Sequence, residues 1–591
     1  MNPDNSIPFP VPARQVDWLL DGQAPLVSAA QVAAEFVAQM FAEVSTPASA
    51  LAAVAAAAEA DADAATAAAA PDTPTDPLTE QELHPLQGQN ILVLGLGDSG
   101  LAMARWCVRG GAAVTVADTR AAPPQLAALQ AELPQVRFIA GAFDAALVDG
   151  QELDAIYRSP GLSPASISPI LIAASARGIR AGGELSLYSL ALQTLKAAQG
   201  YAPAVLAITG TNGKTTVTSL TRQLVERAGQ SVAVAGNIGP TLLDTLTAHL
   251  EAGTLPAVWV LELSSFQLDG VDDFEPTAAV VLNVTQDHLD WHGSLDAYAG
   301  AKACIFGRQG LMLLNREDPG VMAMLPEPTR VKLQKPQWRT YTTFGADLPQ
   351  RPGDFGLETV NGMVWLVRAQ PADGTPQRRT RGVETEAEPL HLQRLMPADA
   401  LRIRGRHNAS NALAALALAH AAGGALAPML YGLREYHGEP HRVQSIGLLD
   451  GIEYFDDSKG TNVGATAAAL AGLGADRRLV VILGGDGKGQ DFAPLAAPVA
   501  RYARAVVLIG RDAPLIRRAL ADAEVVLLDA ADMAQAVQAA AQRAQPGDAV
   551  LLSPACASFD MFNGYEHRAH VFCAAVQALA LDAGQILEGS P

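Results

Sequence analysis

The residues best suited to chemistry form one glycine-rich segment, Thr209-Gly210-Thr211-Asn212-Gly213-Lys214-Thr215-Thr216. It lies between an apolar run and a predicted helix over 217–227. Backbone N–H groups of such a turn can surround phosphates, the lysine can reach the outer phosphates, and the Thr215 hydroxyl can coordinate Mg²⁺. The alternative is a structural turn with a surface lysine, which the strand-loop-helix context disfavours. The segment predicts a nucleoside triphosphate site, although its spacing is two residues shorter than the common G-x-x-x-x-G-K loop.

Two further segments place polar groups where predicted strands end. Glu262 closes the apolar run 258–261, and Asp287, His288 and Asp290 follow the run 280–285. The carboxyl ends of parallel strands meet at one edge of a sheet, so Glu262 and His288 become candidates for metal binding or catalysis near the glycine loop. The alternative for His288 is an ordinary surface histidine, and the two aspartates are more often helix caps.

The chain is acidic, with 41 Lys and Arg against 61 Asp and Glu and a formal charge of -20. No global positive field would draw it to nucleic acid or to an anionic membrane, so anionic ligands must be held by local cations. Arg442, Lys459 and Lys488 each follow a predicted strand or turn in the last third of the chain. Each alone could be a solvated turn residue, but together they favour an anion site.

An earlier glycine turn, Gly95-Leu96-Gly97-Asp98-Ser99-Gly100, matches the dinucleotide fingerprint. Asp118 ends the next predicted strand, where an acidic residue can accept a ribose hydroxyl. Taken alone this pattern predicts NAD, but any diphosphate-linked nucleoside would fit the same backbone, and a purely structural tight turn is the remaining alternative. Thr119 and Arg120 add donors that suit an anionic or uridine-like ligand.

The elements that must position these residues are those of an α/β protein. The 591 residues are 49% hydrophobic and 17% charged, which is enough apolar material for several packed cores. A third glycine-terminated strand precedes Gly484-Gly485-Asp486-Gly487-Lys488. Three such strands predict three nucleotide-fold-like domains. Residues 1–86, which are rich in Ala, Asp and Pro and contain a possible helix over 28–44, are expected to be a largely disordered extension without chemistry.

Cysteine usage and targeting signals favour a cytoplasmic protein. Cys107, Cys304, Cys556 and Cys573 lie far apart without a Cys-x-x-Cys pair, which suits a reducing compartment and buried apolar roles. The sequence also lacks a signal-peptide pattern and any apolar run long enough to cross a bilayer. We expect no nucleic-acid partner, no membrane insertion and a monomer.

Several motifs together resemble the Mur ligases of peptidoglycan synthesis, over residues 89–591. The shared motifs are the glycine loop, Gly236-Asn237-Ile238-Gly239, Glu262-Leu263-Ser264-Ser265-Phe266-Gln267-Leu268, Asn283-Val284-Thr285-Gln286-Asp287-His288-Leu289-Asp290 and Gly405-Arg406-His407-Asn408. The resemblance is narrowed to the D-glutamate-adding branch by Asp456-Asp457-Ser458-Lys459-Gly460-Thr461-Asn462, Leu483-Gly484-Gly485-Asp486-Gly487-Lys488 and Ser553-Pro554-Ala555-Cys556-Ala557-Ser558-Phe559-Asp560.

This resemblance implies a three-domain organisation. A Rossmann-like UDP-substrate domain over 87–198 would precede a central ATP-binding domain of the P-loop type over 199–438, with a mostly parallel sheet and an insertion near 326–397. A Rossmann-like domain over 439–591 would then bind the amino acid and close over the nucleotide.

The resemblance also implies a reaction. ATP would phosphorylate the terminal carboxylate of UDP-N-acetylmuramoyl-L-alanine, and the amine of D-glutamate would displace the phosphate. The expected catalytic residues are Lys214, His288, Lys302 and Lys459. Two Mg²⁺ ions are expected, one supported by Thr215 and Glu262 and one by His288 and a carbamoylated Lys302, for which a plain surface lysine is the alternative.

The same resemblance assigns binding roles to three groups of residues. ATP would be bound by Gly210, Thr211, Asn212, Gly213, Lys214, Thr215, Thr216, Asn408, Asn411, Arg442 and Asp457. The UDP-linked substrate would be bound by Ser99, Gly100, Leu101, Asp118, Thr119, Arg120, Ser159, Pro160, Gly161 and Asn237. D-Glutamate would be bound by Thr461, Lys488, Ser558, Phe559 and Tyr565.

Three other functions compete with this interpretation. Another ATP-dependent amide ligase, such as a folylpolyglutamate synthase or a Mur ligase for a different amino acid, is disfavoured by the Lys459 and Ser558 motifs. An NAD-linked oxidoreductase would leave the phosphate loop, Glu262 and His288 unexplained. A regulatory ATP-binding module would not need so many polar groups at strand ends.

Overall fold

A computed structural model describes residues 84–329, 337–372, 390–475, 477–585 and 587. The described part is a mixed α/β protein with four sheets, of which the three largest are mostly parallel. The predicted fold class is therefore confirmed. The predicted N-terminal extension and its possible helix lie outside the described residues, apart from the short stretch from residue 84.

The first sheet has five strands in the order β3-β2-β1-β4-β5, all parallel. Because β1 has β2 on one side and β4 on the other, the chain reverses direction across the sheet at the end of β1. The glycine turn 95–97 lies at this point, where a crevice forms in open parallel sheets. The elements are β1 Asn90–Leu94, α1 Asp98–Arg109, β2 Ala113–Asp118, α2 Leu126–Glu132, β3 Arg137–Ala140, β4 Ala155–Arg158, α3 Pro164–Ala176, β5 Arg180–Gly183 and α4 Glu184–Gln199.

The central sheet has six parallel strands in the order β11-β10-β9-β6-β8-β7. Its β6 is flanked by β8 and β9, so the loop after β6 lies beside the ends of both neighbours. The elements are β6 Ala204–Thr209, α5 Lys214–Arg227, β7 Val232–Gly236, α6 Leu242–Ala252, β8 Val258–Glu262, α7 Ser265–Leu268, β9 Ala278–Val281, α8 Leu289–His292, α9 Leu295–Ala303, β10 Leu311–Asn315, α10 Pro319–Met322 and β11 Tyr341–Phe344.

A small antiparallel sheet follows, and its strands form a meander. Leu366 and Met396 of this sheet share a buried core with the Ala- and Leu-rich helix α11 and with the central sheet. The strand β11 lies within the expected 326–397 insertion yet pairs with β10 of the central sheet, so the boundaries of that insertion stay a prediction. The elements are β12 Phe355–Val360, β13 Met363–Pro371, β14 Leu390–Pro397, α11 Arg406–Ala421 and α12 Leu426–Glu435.

The third sheet has six strands in the order β15-β16-β20-β17-β18-β19, and only β15 pairs antiparallel. The glycine run 484–487 follows β17 and the Ser553 segment follows the adjacent β20. The elements are β15 Gln444–Leu449, β16 Ile452–Asp456, α13 Val463–Leu473, β17 Leu479–Gly484, α14 Ala496–Tyr502, β18 Ala503–Ile509, α15 Ala513–Ala519, β19 Val526–Asp529, α16 Met533–Arg543, β20 Ala549–Leu552 and α17 Tyr565–Asp582.

The described helices include none that is both long and apolar enough to cross a membrane. The four cysteines are free thiols, with Cys107 and Cys556 buried and the other two partly exposed.

Candidate active site

The glycine loop of the sequence lies between β6 and α5, and its backbone conformation requires glycine. Gly213 has φ 87° at the start of α5, and a Cβ there would come within 2.9 Å of the Asn411 side-chain oxygen. Asn283, which follows β9, holds the loop from the side: its Oδ1 accepts the Asn212 N–H at 2.8 Å, and its Nδ2 donates to the Asn212 carbonyl at 3.1 Å. The loop is thus fixed before any ligand is bound.

Lys214 is bent back over this loop. Its Nζ donates to the carbonyl oxygens of Gly210 at 2.8 Å and Thr211 at 3.0 Å. Burial lowers the pKa of the ammonium, and the nearby Glu262 opposes that effect. Because backbone carbonyls carry only partial charge, the lysine has no full counter-ion within hydrogen-bond distance among the described residues, and a phosphate anion would supply one.

Lys302 lies beneath the same loop and is only 1% exposed. Its Nζ donates to the Gly210 carbonyl at 3.0 Å and lies 4.5 Å from the centre of the Tyr298 ring. The Tyr298 hydroxyl in turn lies 3.2 Å from Thr211 Oγ1. Burial and the charge of Lys214 hold the pKa of Lys302 well below its usual range, which favours the uncharged form of its amine.

Glu262 ends β8 beside the loop, as the sequence predicted. It is 2% exposed; its Oε1 accepts the Asn237 amide at 3.0 Å, and its Oε2 has no hydrogen-bond partner among the described residues. A buried carboxylate oxygen without a donor is costly unless a ligand satisfies it, so this atom suits a cation. Asn237 therefore contacts Glu262 of the central sheet, and its predicted contact with the UDP-linked substrate stays a prediction.

His288 lies on the rim of the same site, in a left-handed conformation with φ 53°. Its Nε2 lies 3.6 Å from Asp287 Oδ2, and its ring packs 4.7 Å from that of Phe266. Burial lowers its pKa, Asp287 raises it, and the charges of Lys488, Lys214 and Lys302 lower it further. A neutral imidazole so close to several cations can serve as a ligand or as a proton acceptor.

The third sheet brings its cations to the loop from the other side. Arg442 Nη2 donates to Thr215 Oγ1 at 2.8 Å, across 227 residues of sequence. Asp457 is buried and accepts a hydrogen bond from Ser553 Oγ at 2.6 Å, and burial raises its pKa to about 7. The Lys459 ammonium lies 3.6 Å from the centre of the Tyr565 ring, and burial lowers its pKa.

These elements enclose one cleft between the central and third sheets. Eight of the predicted residues line it together: Asn212, Gly213, Thr216, Asn408, Asn411, Arg442, Asp457 and Lys459. Gly210, Thr211, Lys214 and Thr215 complete the loop that forms its floor. The cleft thus unites a phosphate-binding turn with cations, amides and a buried carboxyl group.

The five residues predicted for D-glutamate all lie on the third sheet. Lys488 is close enough to His288 for its charge to lower the histidine pKa, and Thr461 immediately precedes Asn462, the N-cap of α13. Ser558 is buried and follows an isolated bridge between Asp486 and Ala557. Phe559 is 75% exposed, which leaves its ring free for a ligand.

Apart from Asn237, the residues predicted for the UDP-linked substrate lie at the carboxyl edge of the first sheet. Ser159 Oγ donates to the Gly95 carbonyl at 2.9 Å and ties together the turns after β1 and β4. Gly100 allows the helix to approach that turn, since a Cβ would lie 2.0 Å from the Gly95 oxygen. Leu101 is buried and its N–H is bonded to Gly97, so the structure gives it a packing role. Pro160 and Gly161 follow Ser159 at the same edge, and Ser99 lies at the start of α1.

The Asp118 carboxylate is hydrogen-bonded to neighbouring residues of the first sheet and its loops. Its carboxylate accepts the Leu96 N–H at 2.8 Å and two bonds from the Arg120 guanidinium at 2.8 Å, and it is 2% exposed. The Arg120 hydrogen bonds lower its pKa to about 2 against the opposing effect of burial. It therefore fixes the glycine turn and orients Arg120, whose side chain is half exposed at the edge together with Thr119.

Several residues of the site have no role in the sequence-based assignment. Asn283 and Tyr298 hold the loop and Lys302, and Asn462 contacts Asn212. Arg568 is fully buried and donates to Ser458 and to the Cys556 carbonyl, which joins the two loops that carry Lys459 and Ser558. The available signals in the sequence were an arginine in the last helix and repeated asparagines beside glycine loops.

Three family models match the chain in this order. The model of the MurD-like N-terminal domain of Mur ligases matches residues 89–183, the Mur ligase middle domain matches 208–343, and the Mur ligase glutamate ligase domain matches 441–556. The middle-domain match extends to β11, in agreement with the place of that strand in the central sheet.

Curated relatives match nearly their whole length. Proteins named UDP-N-acetylmuramoylalanine–D-glutamate ligase are 70% identical in Albidiferax ferrireducens, over 86% of this chain and 100% of the relative, and 60% identical in a Polaromonas species, over 85% and 100%. The protein of that name in Ralstonia nicotianae is 58% identical, over 84% and 98%. With this identity over complete relatives, the chain belongs to the UDP-N-acetylmuramoylalanine–D-glutamate ligase family of Mur ligases.

Proposed function

We propose that the protein joins D-glutamate to UDP-N-acetylmuramoyl-L-alanine with cleavage of ATP to ADP and phosphate. The observation that carries the proposal is the cleft, in which Asn212 and Gly213 of the phosphate loop lie together with Arg442, Asp457 and Lys459. Lys302 contacts the same loop at the Gly210 carbonyl, and Arg442 donates to Thr215. The names of relatives up to 70% identical point to the same substrates.

In the first step, a carboxylate oxygen of the alanyl group attacks the γ-phosphorus of ATP. The bond to the β,γ-bridging oxygen breaks, and ADP and an acyl phosphate form. Two anions must meet in this step, so positive charge has to lie between them. Lys214, which bonds only to carbonyls in this structure, would contact the phosphates, and Arg442 would approach them beside Thr215.

The donor set of the site fits Mg²⁺. Glu262 Oε2 is buried and unpartnered, and Thr215 Oγ1 can exchange its bond to Arg442 for a metal ion. Among the described residues no three His, Cys, Asp or Glu side chains converge, so phosphate oxygens, water and Thr215 would complete the coordination. Bound Mg²⁺ would neutralise phosphate charge. A second ion is proposed near His288 and Lys302, on condition that Lys302 carries a carbamate.

In the second step, the neutral amine of D-glutamate attacks the acyl carbon, and phosphate leaves from the tetrahedral intermediate as the amide forms. The attacking amine must lose a proton as the amide forms, and His288 would accept it in its neutral form, which burial and nearby cations favour. We assign Lys488, Thr461, Ser558, Phe559 and Tyr565 to the D-glutamate side of the cleft, where a lysine and hydroxyl groups suit its carboxylates. The first sheet would hold the UDP group through Arg120, Thr119 and the Gly95 turn.

The direct test is phosphate release by the purified protein with ATP, Mg²⁺ and UDP-N-acetylmuramoyl-L-alanine, with and without D-glutamate. We expect release that depends on both substrates and stops when L-glutamate or meso-diaminopimelate replaces D-glutamate. Release without D-glutamate, or at equal rates with the other amino acids, would refute the proposal. Omission and titration of Mg²⁺ tests the metal separately.

We further propose that the protein works as a monomer in the cytoplasm, where ATP and UDP-linked precursors are present. Light scattering of the purified protein at working concentrations tests the first statement. Fractionation of cells that produce it tests the second.

A further inference from the structure

The tip of the phosphate loop is joined to the third sheet by a pair of asparagine side chains. Asn212 Nδ2 donates to Asn462 Oδ1 at 3.2 Å, and Asn462 Nδ2 donates back to Asn212 Oδ1 at 3.0 Å. The two residues are 250 positions apart in sequence. Reciprocal amide pairing uses a donor and an acceptor on each side, which fixes the relative orientation of the two groups.

Asn462 has a second contact that ties this pair to a helix. It is the N-cap of α13, and its Oδ1 also accepts the Ala465 N–H at 2.9 Å. It is 5% exposed. Thr461 precedes it directly, and Lys459 lies three residues before it. The amide pair therefore sets the distance between the phosphate loop and the residues proposed for charge stabilisation and D-glutamate binding.

Gly464 permits the close approach of α13. A Cβ at this position would lie 2.8 Å from Thr285 Oγ1 and 3.3 Å from Asn212 Nδ2. Thr285 itself donates its backbone N–H to Thr211 Oγ1 at 3.0 Å, so both contacts belong to the phosphate-loop assembly. Gly in a helix normally costs stability relative to Ala. Its place here is explained by the docking of α13 on that assembly.

The geometry points to Asn462 and Gly464 as positioning residues that couple the phosphate loop to the D-glutamate side of the cleft. Neither reaches the reacting atoms. They act by holding α13 against Asn212 and Thr285 when the cleft is closed. This inference rests on the proposed ligase function for its catalytic consequences, but the coupling itself is a property of the protein without substrates.

The first test is Asn462→Ser. Serine also caps a helix, so α13 stays folded, but its short side chain cannot reach Asn212. With two neutral hydrogen bonds lost, we expect kcat/KM for D-glutamate to fall about tenfold. Backbone amides of residues 210–216 should also exchange faster with deuterium. A residue that merely capped α13 would leave the loop unaffected. Asp532→Ser is the matched control, because Asp532 caps α16 through the Gln535 N–H.

The second test is Gly464→Ala, for which we expect activity and thermal stability to change in different directions. Alanine should raise or preserve the melting temperature, since it favours the helix, while its methyl group forces α13 away from Thr285. We expect lower activity with unchanged or higher thermal stability. Retained activity would overturn the inference.

A double-mutant cycle with Asn212→Ala and Asn462→Ser isolates the pair. Coupling predicts that the double variant is no slower than the slower single variant. Additive losses would overturn the inference. The exchange experiment needs no substrate, so a loop that loosens in Asn462→Ser supports the coupling even if the ligase assay fails. If exchange in the loop is unchanged in Asn462→Ser and the wild type is an active ligase, the coupling is refuted while the proposed function stands.

Discussion

At the scale of single residues, the site contains ionisable groups that are buried, where the charged form is energetically unfavourable. Lys302 is almost fully buried, and its Nζ donates to the Gly210 carbonyl and to Thr209 Oγ1. Burial and the charge of Lys214 disfavour an ammonium in this position and lower its pKa. The uncharged amine is the form that can combine with carbon dioxide. Conversion to a carbamate would replace a repelled cation by an oxygen ligand for metal.

Replacement of Lys302 tests that conversion. We expect Lys302→Ala to lower kcat by about 10³-fold or more, since it removes a charge that acts in the transition state. A short carboxylic acid added in solution should restore part of the activity, because it can occupy the vacated space as a metal ligand. Steady-state phosphate release measures both effects. The matched control is Lys196→Ala on α4, which should leave the rate unchanged. Full activity of Lys302→Ala, or no rescue by any short acid, contradicts the carbamate.

Asp457 gives a prediction on pH. Burial raises its pKa to about 7, so the folded protein binds a proton that the unfolded chain releases near pH 4. Stability from this group is therefore complete below pH 4 and is lost as pH rises towards 7. Asp457→Asn has no charge to bury and can still accept the Ser553 hydroxyl. Its melting temperature should exceed that of the wild type above pH 7, by roughly 2–4 °C for each kcal/mol.

The gain of Asp457→Asn should shrink towards pH 5, and ATP affinity should fall in the same variant if the carboxylate binds the nucleotide. Melting curves of both proteins from pH 5 to 8.5, without nucleotide, provide the measurement. A difference in melting temperature that does not change with pH would contradict the raised pKa. Ser553→Ala should remove the hydroxyl donor and destabilise the ionised form further.

At the scale of elements, each glycine loop works because a strand, a turn and a helix follow one another in the sheet. Helix α5 begins and ends near a glycine with positive φ, Gly213 at 87° and Gly229 at 82°. An added Cβ meets Asn411 Oδ1 at 2.9 Å in the first case, and no described heavy atom within 4 Å in the second. Substitution at Gly229 therefore tests backbone strain alone, whereas substitution at Gly213 also tests the shape of the nucleotide cleft.

We expect both Gly213→Ala and Gly229→Ala to lose about 1–2 kcal/mol of stability from the left-handed conformation. Only Gly213→Ala should lose nucleotide binding, by more than tenfold, because its methyl group displaces Asn411 and the loop. Isothermal titration with ATP and melting curves measure the two effects. Equal ATP affinity in both variants would show that the loop tolerates the methyl group.

The elements were largely predictable from sequence, but their mutual contacts were not. Apolar runs that end in glycine indicated β1, β6 and β17, and the edge of a parallel sheet indicated that Glu262 would lie beside the loop. Such local patterns cannot show that Arg442 bonds Thr215 or that Asn462 pairs with Asn212, since these contacts depend on how two sheets dock. The hydrogen bond from the Leu96 N–H to Asp118 joins the ends of two neighbouring strands of one sheet, and the fingerprint pattern assigned this carboxylate to a ligand instead.

At the scale of the whole molecule, four arginine-carboxylate pairs among the described residues join the first sheet to the central sheet. In each pair the arginine lies on the same side of the contact. The arginines all belong to the first sheet and its helices, and the carboxylates all belong to the central part. The pairs are Arg105–Asp244, Arg109–Glu251, Arg158–Asp269 and Arg180–Asp273. Opposite charges attract across this contact, so the pairs favour association of the two parts.

The pairs differ in burial, and that difference predicts their importance. The side chains of Arg109 and Glu251 are 45% and 63% exposed, so Arg109→Ala should cost less than about 0.5 kcal/mol. Arg158 is 13% exposed and donates to both the carboxylate of Asp269, at 2.7 Å, and its carbonyl, at 2.8 Å. Loss of that side chain leaves a partly buried carboxylate without its partner, and we expect Arg158→Ala to cost about 1–3 kcal/mol.

Loss of the Arg158–Asp269 pair should also affect catalysis. Because the first sheet carries the residues proposed for the UDP group, Arg158→Ala should raise the KM for UDP-N-acetylmuramoyl-L-alanine several-fold and leave the KM for ATP unchanged. Arg158→Lys should restore part of the stability but not all, since an ammonium cannot make both bonds in the same geometry. Melting curves and steady-state kinetics of the three variants at low and high salt measure this. Two outcomes would contradict this prediction: equal effects of Arg109→Ala and Arg158→Ala, or a joint weakening of ATP and UDP-substrate binding. Either would show that the Arg158–Asp269 pair does not act by placing the first sheet.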